Sequence, residues 1–364
     1  MLFFELIQVA LGQKESLTKN PSEQEWKAMF DMAKKQAVVG IAFLALNKLA
    51  EIGQKPPLSL LYEWIGLSEQ IKARNKLVNS RCIEVTKLFA NAGFRSCILK
   101  GQGNALMYPE PLLRTSGDID IWIECRRDEI KKFIISKTTD VFECYHHIDF
   151  PIFDNVDIEV HYTPCTCISI KGNKRFQDYC KKQISTQIHN VVDLPDGIGH
   201  ISIPTRDFNV VFHMAHIMYH FFIEGIGLRH FIDYYYVLRS DELKEKEQYK
   251  HFFNDFGMLR FARGVMWIEK ECLDLSDEYL ILEPDEKIGK IILNEMTEGG
   301  NFGQHDERYA QRKKGYLMRG LTDTYRLIKL AKYFPSESIW KIVRKIENQR
   351  WKVKKSLCKI NCGS

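Results

Sequence analysis

The stretch LLRTSGDIDIWIE, residues 112–124, decides how this chain is read. From Gly117 it alternates, with Asp118 and Asp120 in one phase and Ile119, Ile121 and Ile123 in the other. On a strand, residues i and i+2 share a face, so both carboxylates point the same way. Two carboxylates that close repel, and one takes up a proton unless a cation lies between them. Burial adds to the penalty, because an unpaired charge is costly in apolar surroundings. A divalent ion removes the conflict. Mg²⁺ takes hard oxygen ligands and is commonly held by one or two carboxylates together with substrate phosphates. The plain alternative is a half-exposed strand with a solvated acidic face.

A second run, DIEVH at 157–161, alternates in the same manner: Asp157, Glu159 and His161 against Ile158 and Val160. If this strand lies beside the first, Glu159 completes an acidic cluster fit for two metal ions about 3.5–4 Å apart. Asp157 is read as a solvated or outlying group rather than a ligand. His161 either orients Glu159 or packs.

The residues before the first pair add to this reading. ILKGQGNALMYPEPLLRTSGDIDIWIE (98–124) has a strand, a Gly-containing turn, a short helix and then the alternating acids. This layout resembles the nucleotidyltransferase superfamily that includes DNA polymerase beta. In detail it is similar to a family of bacterial nucleotidyltransferases with the pattern K-G, then Y-P, then R-x-x-x-D-I-D-I. Lys100-Gly101, Tyr108-Pro109, Arg114 and Asp118-Ile119-Asp120-Ile121 match it as they stand, and IEVHY puts Glu159 at the third carboxylate. The likeness continues through HMAHIMYHFFIEGIGLRHFIDYYYVL (213–238) and faintly into KYFPSESIW (332–340). Abortive-infection and toxin nucleotidyltransferases, also similar, carry a basic residue and an aspartate four apart on a later helix. Arg229 and Asp233 match that pair.

The resemblance implies a Mg²⁺-dependent enzyme, with two ions, that moves a nucleoside monophosphate from an NTP to a hydroxyl and releases pyrophosphate. Asp118, Asp120 and Glu159 are its implied metal-binding and catalytic residues. Lys100, Gly101, Gln102, Gly103, Arg114, Arg229 and Asp233 are its implied nucleotide-binding residues. Arg114 has two readings, charge stabilisation on phosphate or a salt bridge to Asp118 or Asp120. Arg229 and Asp233 also have two, an ordinary i,i+4 pair or a phosphate contact with Asp233 orienting Arg229. The superfamily usually begins the turn with Gly-Ser, where this chain has Gly101-Gln102. Gly101 and Gly103 still let backbone amides approach phosphate oxygens. A non-catalytic nucleotide- or RNA-binding module that kept the fold is therefore the rival expectation. The acceptor stays open among a small molecule, an RNA 3′ end and a protein side chain.

Length and composition agree with a globular chain. Its 364 residues are 45% hydrophobic and 27% charged, with a formal net charge of +5, which suits a polyanionic partner without requiring one. Its ten cysteines include no CxxC pair, which excludes a zinc ribbon and points to free thiols and a cytoplasmic setting. MLFFELIQVALG lacks a basic leader and is broken by Glu5, so an amphipathic helix is expected there rather than a signal peptide. No stretch reaches the roughly 18 apolar residues that span a bilayer. There is no P-loop motif.

The expected architecture is α+β. Residues 1–93 read as a helical segment, 94–204 as a nucleotidyltransferase core and 205–364 as a helical domain with a basic tail. One helix is expected after a cap at Ser22, or at Asn20 before Pro21, from about Glu23 to Glu51, and another over Leu58–Ala92, stopped by Gly93. STQIHNVV (185–192) and HISIP (200–204) read as short strands around LPDGIG. Helices are expected over Asp207–Phe222, Leu228–Ser240, Leu243–Phe256 and Leu259–Leu273, and a loop over 295–315. His213, His216 and His220 share a helical face, but no carboxylate or cysteine stands at ligand spacing, so they read as core or groove-lining rather than zinc ligands. DYYYV (233–237) is a core stripe or a base-stacking surface. The tail carries Trp340, Lys341, Arg344, Lys345, Arg350, Trp351, Lys352, Lys354, Lys355 and Lys359. It reads as a solvated helix or a face for RNA or a membrane.

Overall fold

The computed structural model describes residues 1–139, 141–239, 243, 245–305 and 316–343, with the backbone alone for 316–323. Most of the basic tail, from Arg344 onward, lies outside the described residues. Four helices come first: α1 (Leu2–Ala10), α2 (Glu23–Lys35), α3 (Val39–Glu51) and α4 (Leu58–Asn91). The expected cap at Ser22 is a reciprocal one, in which the Glu25 amide donates to the Ser22 side chain and the Ser22 amide to the Glu25 carboxylate. The run from Glu23 to Glu51 is two helices rather than one. It breaks at Ala37, whose φ of 57° cannot continue a right-handed helix. Gly93, at φ 83°, stops α4 as expected.

Then follow β1 (Ser96–Leu99), α5 (Gly101–Ala105), β2 (Ile119–Ile123), α6 (Arg127–Lys137), β3 (His147–Asp149), β4 (Ile158–His161), α7 (Ile170–His189), β5 (Val191–Asp193) and β6 (His200–Ser202). The chain continues as α8 (Arg206–Ile223), α9 (Leu228–Leu238), α10 (Lys246–Asp255), α11 (Leu259–Glu271), α12 (Glu286–Gly299) and α13 (Tyr316–Ala331). Residues 185–189, expected as strand, are instead the last turn of α7, and only Val191–Asp193 pairs. Phe176, Cys180, Ile184 and Ile188 recur every four residues and turn one helical face inward, which overrides the local β-branched composition. The first part of the expected loop, 295–299, is instead the end of α12, where Ile288, Ile292 and Met296 make a buried stripe, and its residues 306–315 lie outside the described ones.

The central sheet has four strands in the order β1-β2-β4-β3. Its inner pair, β2 and β4, is parallel, and both outer strands run antiparallel to their neighbours. The alternation read from the sequence sorts the two faces. Ile98, Ile119, Ile121, Ile123, Ile148, Ile158 and Val160 pack in one cluster with Val78, Cys82, Val85 and Phe89 of α4 and Ile130 and Ile134 of α6. Leu99 and Trp122 on the opposite face join the larger cluster built from α1–α3 and α8–α12. Trp122 stacks on Phe208 of α8, ring centroids 5.7 Å apart. Asp120 shares the face of Trp122, so the polar residues of the sheet meet α8 and α9. Among the described residues, no helix is long and apolar enough to cross a membrane.

Candidate active site

Parallel pairing of β2 and β4 sets Asp120 directly opposite Glu159. Asp118 lies just before β2, two residues from Asp120 and in the same phase. Ligand oxygens of Asp118, Asp120 and Glu159 lie within 4.8 Å of one another. The acids of two sequence-distant strands are thus one cluster, with Asp120 buried, Glu159 partly buried and Asp118 at the exposed rim. Asp157 is exposed at the start of β4.

The turn after β1 aims a cation at this cluster. Lys100 has φ 52° and ψ −135°, a conformation that a side chain makes costly and that persists only when the surroundings enforce it. Gly101 follows at φ 37°. The kink places Lys100 Nζ 2.9 Å from Asp120 Oδ2 and 3.0 Å from His216 Nε2. His216 Nε2 is in turn 2.9 Å from His220 Nε2, and His220 Nδ1 is 2.9 Å from Glu224 Oε2. The histidines expected to line a groove on α8 therefore lead outward from Lys100. His213 departs from this line and bonds Asn104 Nδ2 at 2.8 Å.

Two further imidazoles sit on the carboxylates. His161 Nε2 is 2.8 Å from Asp120 Oδ1 and 3.4 Å from Glu159 Oε2. His147 Nδ1 is 2.9 Å from Glu159 Oε2. Burial pulls both rings toward neutrality, but Asp120 and Glu159 outweigh it to raise His161 to about 9, and Cys144 with Glu159 raises His147 to about 10. Burial likewise works against charge on Asp120 and Glu159. Lys100 and His161 overcome it for Asp120, whose pKa is lowered, and His147 and His161 overcome it for Glu159, which is held well below the usual carboxylate range. Asp118 goes the other way. The charge of Asp120, then burial, pushes it up to about 6.

A second charge pair braces the loop that carries Asp118. Arg114 grips Asp233 with two parallel bonds, Nε to Oδ1 and Nη2 to Oδ2, each 2.7 Å, and the Tyr108 hydroxyl donates to Asp233 Oδ1 at 2.6 Å. All three residues are buried. Asn75 of α4 donates to the carbonyls of Leu112 and Arg114, both at 2.7 Å. Arg114 does not pair with Asp118 or Asp120, and Asp233 does not orient Arg229. The guanidinium fork matches a carboxylate in two-point geometry, and Asp233 on α9 presents it. Arg229 instead donates through Nη1 to the Thr115 carbonyl at 2.9 Å. Among the described residues its buried Nε has no hydrogen-bond partner, and its guanidinium feels the charge of Asp118.

The Gly-Gln turn differs in detail from its sequence reading. The buried Gln102 side chain donates to Asn79 Oδ1 on α4, so its amide nitrogen is engaged within the protein. A Cβ on Gly103 would come 2.8 Å from the Ile203 side chain, so this glycine allows close packing as well. Tyr234 and Tyr235 of the aromatic stripe are fully buried, which makes the stripe core. Lys341, expected on the solvated tail helix, is buried and donates to the Phe222 carbonyl. His147 escaped the sequence reading. The signal was present in YHHIDF, since an imidazole on the edge strand beside β4 falls next to Glu159, but it needed the β3–β4 pairing to be known.

A four-stranded mixed sheet with acids on its parallel pair, a strand–turn–helix entry and flanking helical regions is the polymerase-beta-like nucleotidyltransferase fold. The chain belongs to a family described as uncharacterised nucleotidyltransferases, whose model matches residues 22–274, from α2 to just beyond α11. No curated protein and no solved structure matches it.

Proposed function

We propose that the protein transfers a nucleoside monophosphate from an NTP to a hydroxyl acceptor, in a reaction that depends on Mg²⁺. The convergence of Asp118, Asp120 and Glu159 within 4.8 Å carries this reading. Their oxygens suit a hard divalent ion. The repulsion that raises Asp118 is the conflict such an ion relieves. Asp118, Asp120 and Glu159 would hold the metal, which when bound lowers the pKa of the attacking hydroxyl and neutralises charge on the leaving pyrophosphate.

The chain's own groups do the rest. Lys100 and the unspent Nε of Arg229 meet negative charge on the phosphates. Gly101, Gln102 and Gly103 contribute backbone amides. Glu159 accepts the proton of the attacking hydroxyl. Arg114 and Asp233 act on the nucleotide through the 115–118 loop that they hold in place. The acceptor is a small molecule, an RNA 3′ end or a protein side chain.

The anchoring of Gln102 on Asn79 favours a second reading, a binding module that retains the fold without turnover. Incubation with each labelled NTP, Mg²⁺ and cell lysate separates the two. Label transferred by the wild type and lost in Asp118→Ala/Asp120→Ala supports the enzyme. NTP binding without any transfer supports the module. Neither binding nor transfer refutes both.

A further inference from the structure

The residues leading into β3 carry a second donor cluster that the proposed reaction leaves unused. Cys144, His146 and His147 each present a ligand atom, and these atoms lie within 4.8 Å of one another. Cys144 Sγ is 3.5 Å from His146 Nδ1, and the His146 and His147 rings meet edge-on with centroids 4.6 Å apart. The backbone fixes this arrangement. The Cys144 amide donates to the His147 carbonyl at 3.0 Å, closing the turn, and the Tyr162 amide donates to the His146 carbonyl at 2.8 Å, tying it to β4. Glu143 is already engaged by Arg127 and Lys131, so it is not a spare ligand.

A thiol and two imidazoles form a soft-to-borderline donor set, unlike the all-oxygen set of the acidic triad. Such a set suits Zn²⁺ or a related transition-metal ion, with a fourth position left to water. We propose that Cys144, His146 and His147 form a transition-metal site of the zinc type beside the acidic cluster. His147 belongs to both neighbourhoods, since its Nδ1 lies 2.9 Å from Glu159 Oε2. An ion that takes His147 withdraws a positive partner from Glu159, so occupancy of the soft site would alter the acidic one. The proposal concerns binding alone and stands whether or not the chain turns over an NTP.

The test titrates metal-stripped, reduced full-length protein with Co²⁺. The expected result is saturation with a thiolate-to-cobalt charge-transfer band and four-coordinate visible absorption, both removed by Zn²⁺. Cys144→Ser should abolish the charge-transfer band. Loss of a direct ligand should weaken binding by more than about tenfold, the lower bound for loss of a mere supporting contact. His146→Asn should weaken binding similarly while keeping the band. Asp118→Ala/Asp120→Ala, which breaks the acidic triad, should leave the spectrum and affinity in place. Three results would overturn the proposal: no thiolate band in the wild type, an unchanged band and affinity in Cys144→Ser, or binding lost in Glu159→Gln but kept in both Cys144→Ser and His146→Asn. Circular dichroism melts of each variant separate lost ligation from lost folding, and a variant that melts like the wild type without metal is decisive.

Discussion

Replacing Asp118 by Asn should make the metal-free protein more stable and, at the same time, deaf to magnesium. In the fold the Asp118 carboxyl is pushed from 3.8 up to about 6, first by the charge of Asp120 and then by burial. A carboxyl whose pKa rises on folding costs nothing below its unfolded value, and the full cost is present above its folded value. The penalty therefore grows as pH climbs from about 4 to about 6. A gap of about two pKa units sets a ceiling of about 3 kcal/mol. Asp118 lies at the exposed rim, where solvent screening brings this down to about 1 kcal/mol. For a chain of this size that is roughly 1 °C in Tm. The assay is a set of melts of metal-stripped wild type and Asp118→Asn at about pH 4 and about pH 8, with and without Mg²⁺. The two proteins should coincide at the lower pH, and the variant should melt higher at the upper pH. Only the wild type should then gain from Mg²⁺. A variant that melts below the wild type at the upper pH without metal would show that ionised Asp118 is not a strained charge, and one that gains as much from Mg²⁺ would show that Asp118 is not a ligand.

Arg114→Ala should destabilise the protein by about 3–5 kcal/mol in urea unfolding, because it strands a buried Asp233; a loss below about 1 kcal/mol would show that the pair is not holding the loop. His161 and His147, raised to about 9 and about 10, lend the metal-free protein stability that is fully present below about pH 6.5 and is lost as pH rises through their folded values. Melts in chelator should show this decline, and His147→Asn/His161→Asn should flatten it. Lys100→Gly should be more stable than Lys100→Ala by about 1–3 kcal/mol, since only glycine relieves the φ 52°, ψ −135° backbone. Both variants should fail to transfer label, and equal stability would argue against strain at this position.

The acidic site was legible because strand geometry is a local rule with a period of two. Once GDIDI and DIEVH are both strands, pairing them is the only step left, and the register sets Asp120 opposite Glu159. The braces of the site were not legible. Arg114 and Asp233 are 119 residues apart in the chain, and several acids nearer in sequence competed as partners. Gln102 read as part of a phosphate turn because nothing local reveals Asn79 behind it. Residues 185–189 read as strand from the composition of STQIHNVV, and nothing local marks the helix α7 that contains them, which the packing of Phe176, Cys180 and Ile188 decides. Lys341 looked like one cation in a solvated row, yet a buried carbonyl of α8 claims its ammonium. In each case a contact between distant elements outweighed the local preference.

On the proposed reading Asp118, Asp120 and Glu159 grip a divalent cation together. Mn²⁺ titration of metal-stripped protein, read by the electron paramagnetic resonance of the free ion, tests it without reference to any acceptor. Saturable binding by the wild type that is lost in Asp120→Asn and weakened in the near-isosteric Glu159→Gln is the expected result. Equal Mn²⁺ binding by all three proteins would contradict it.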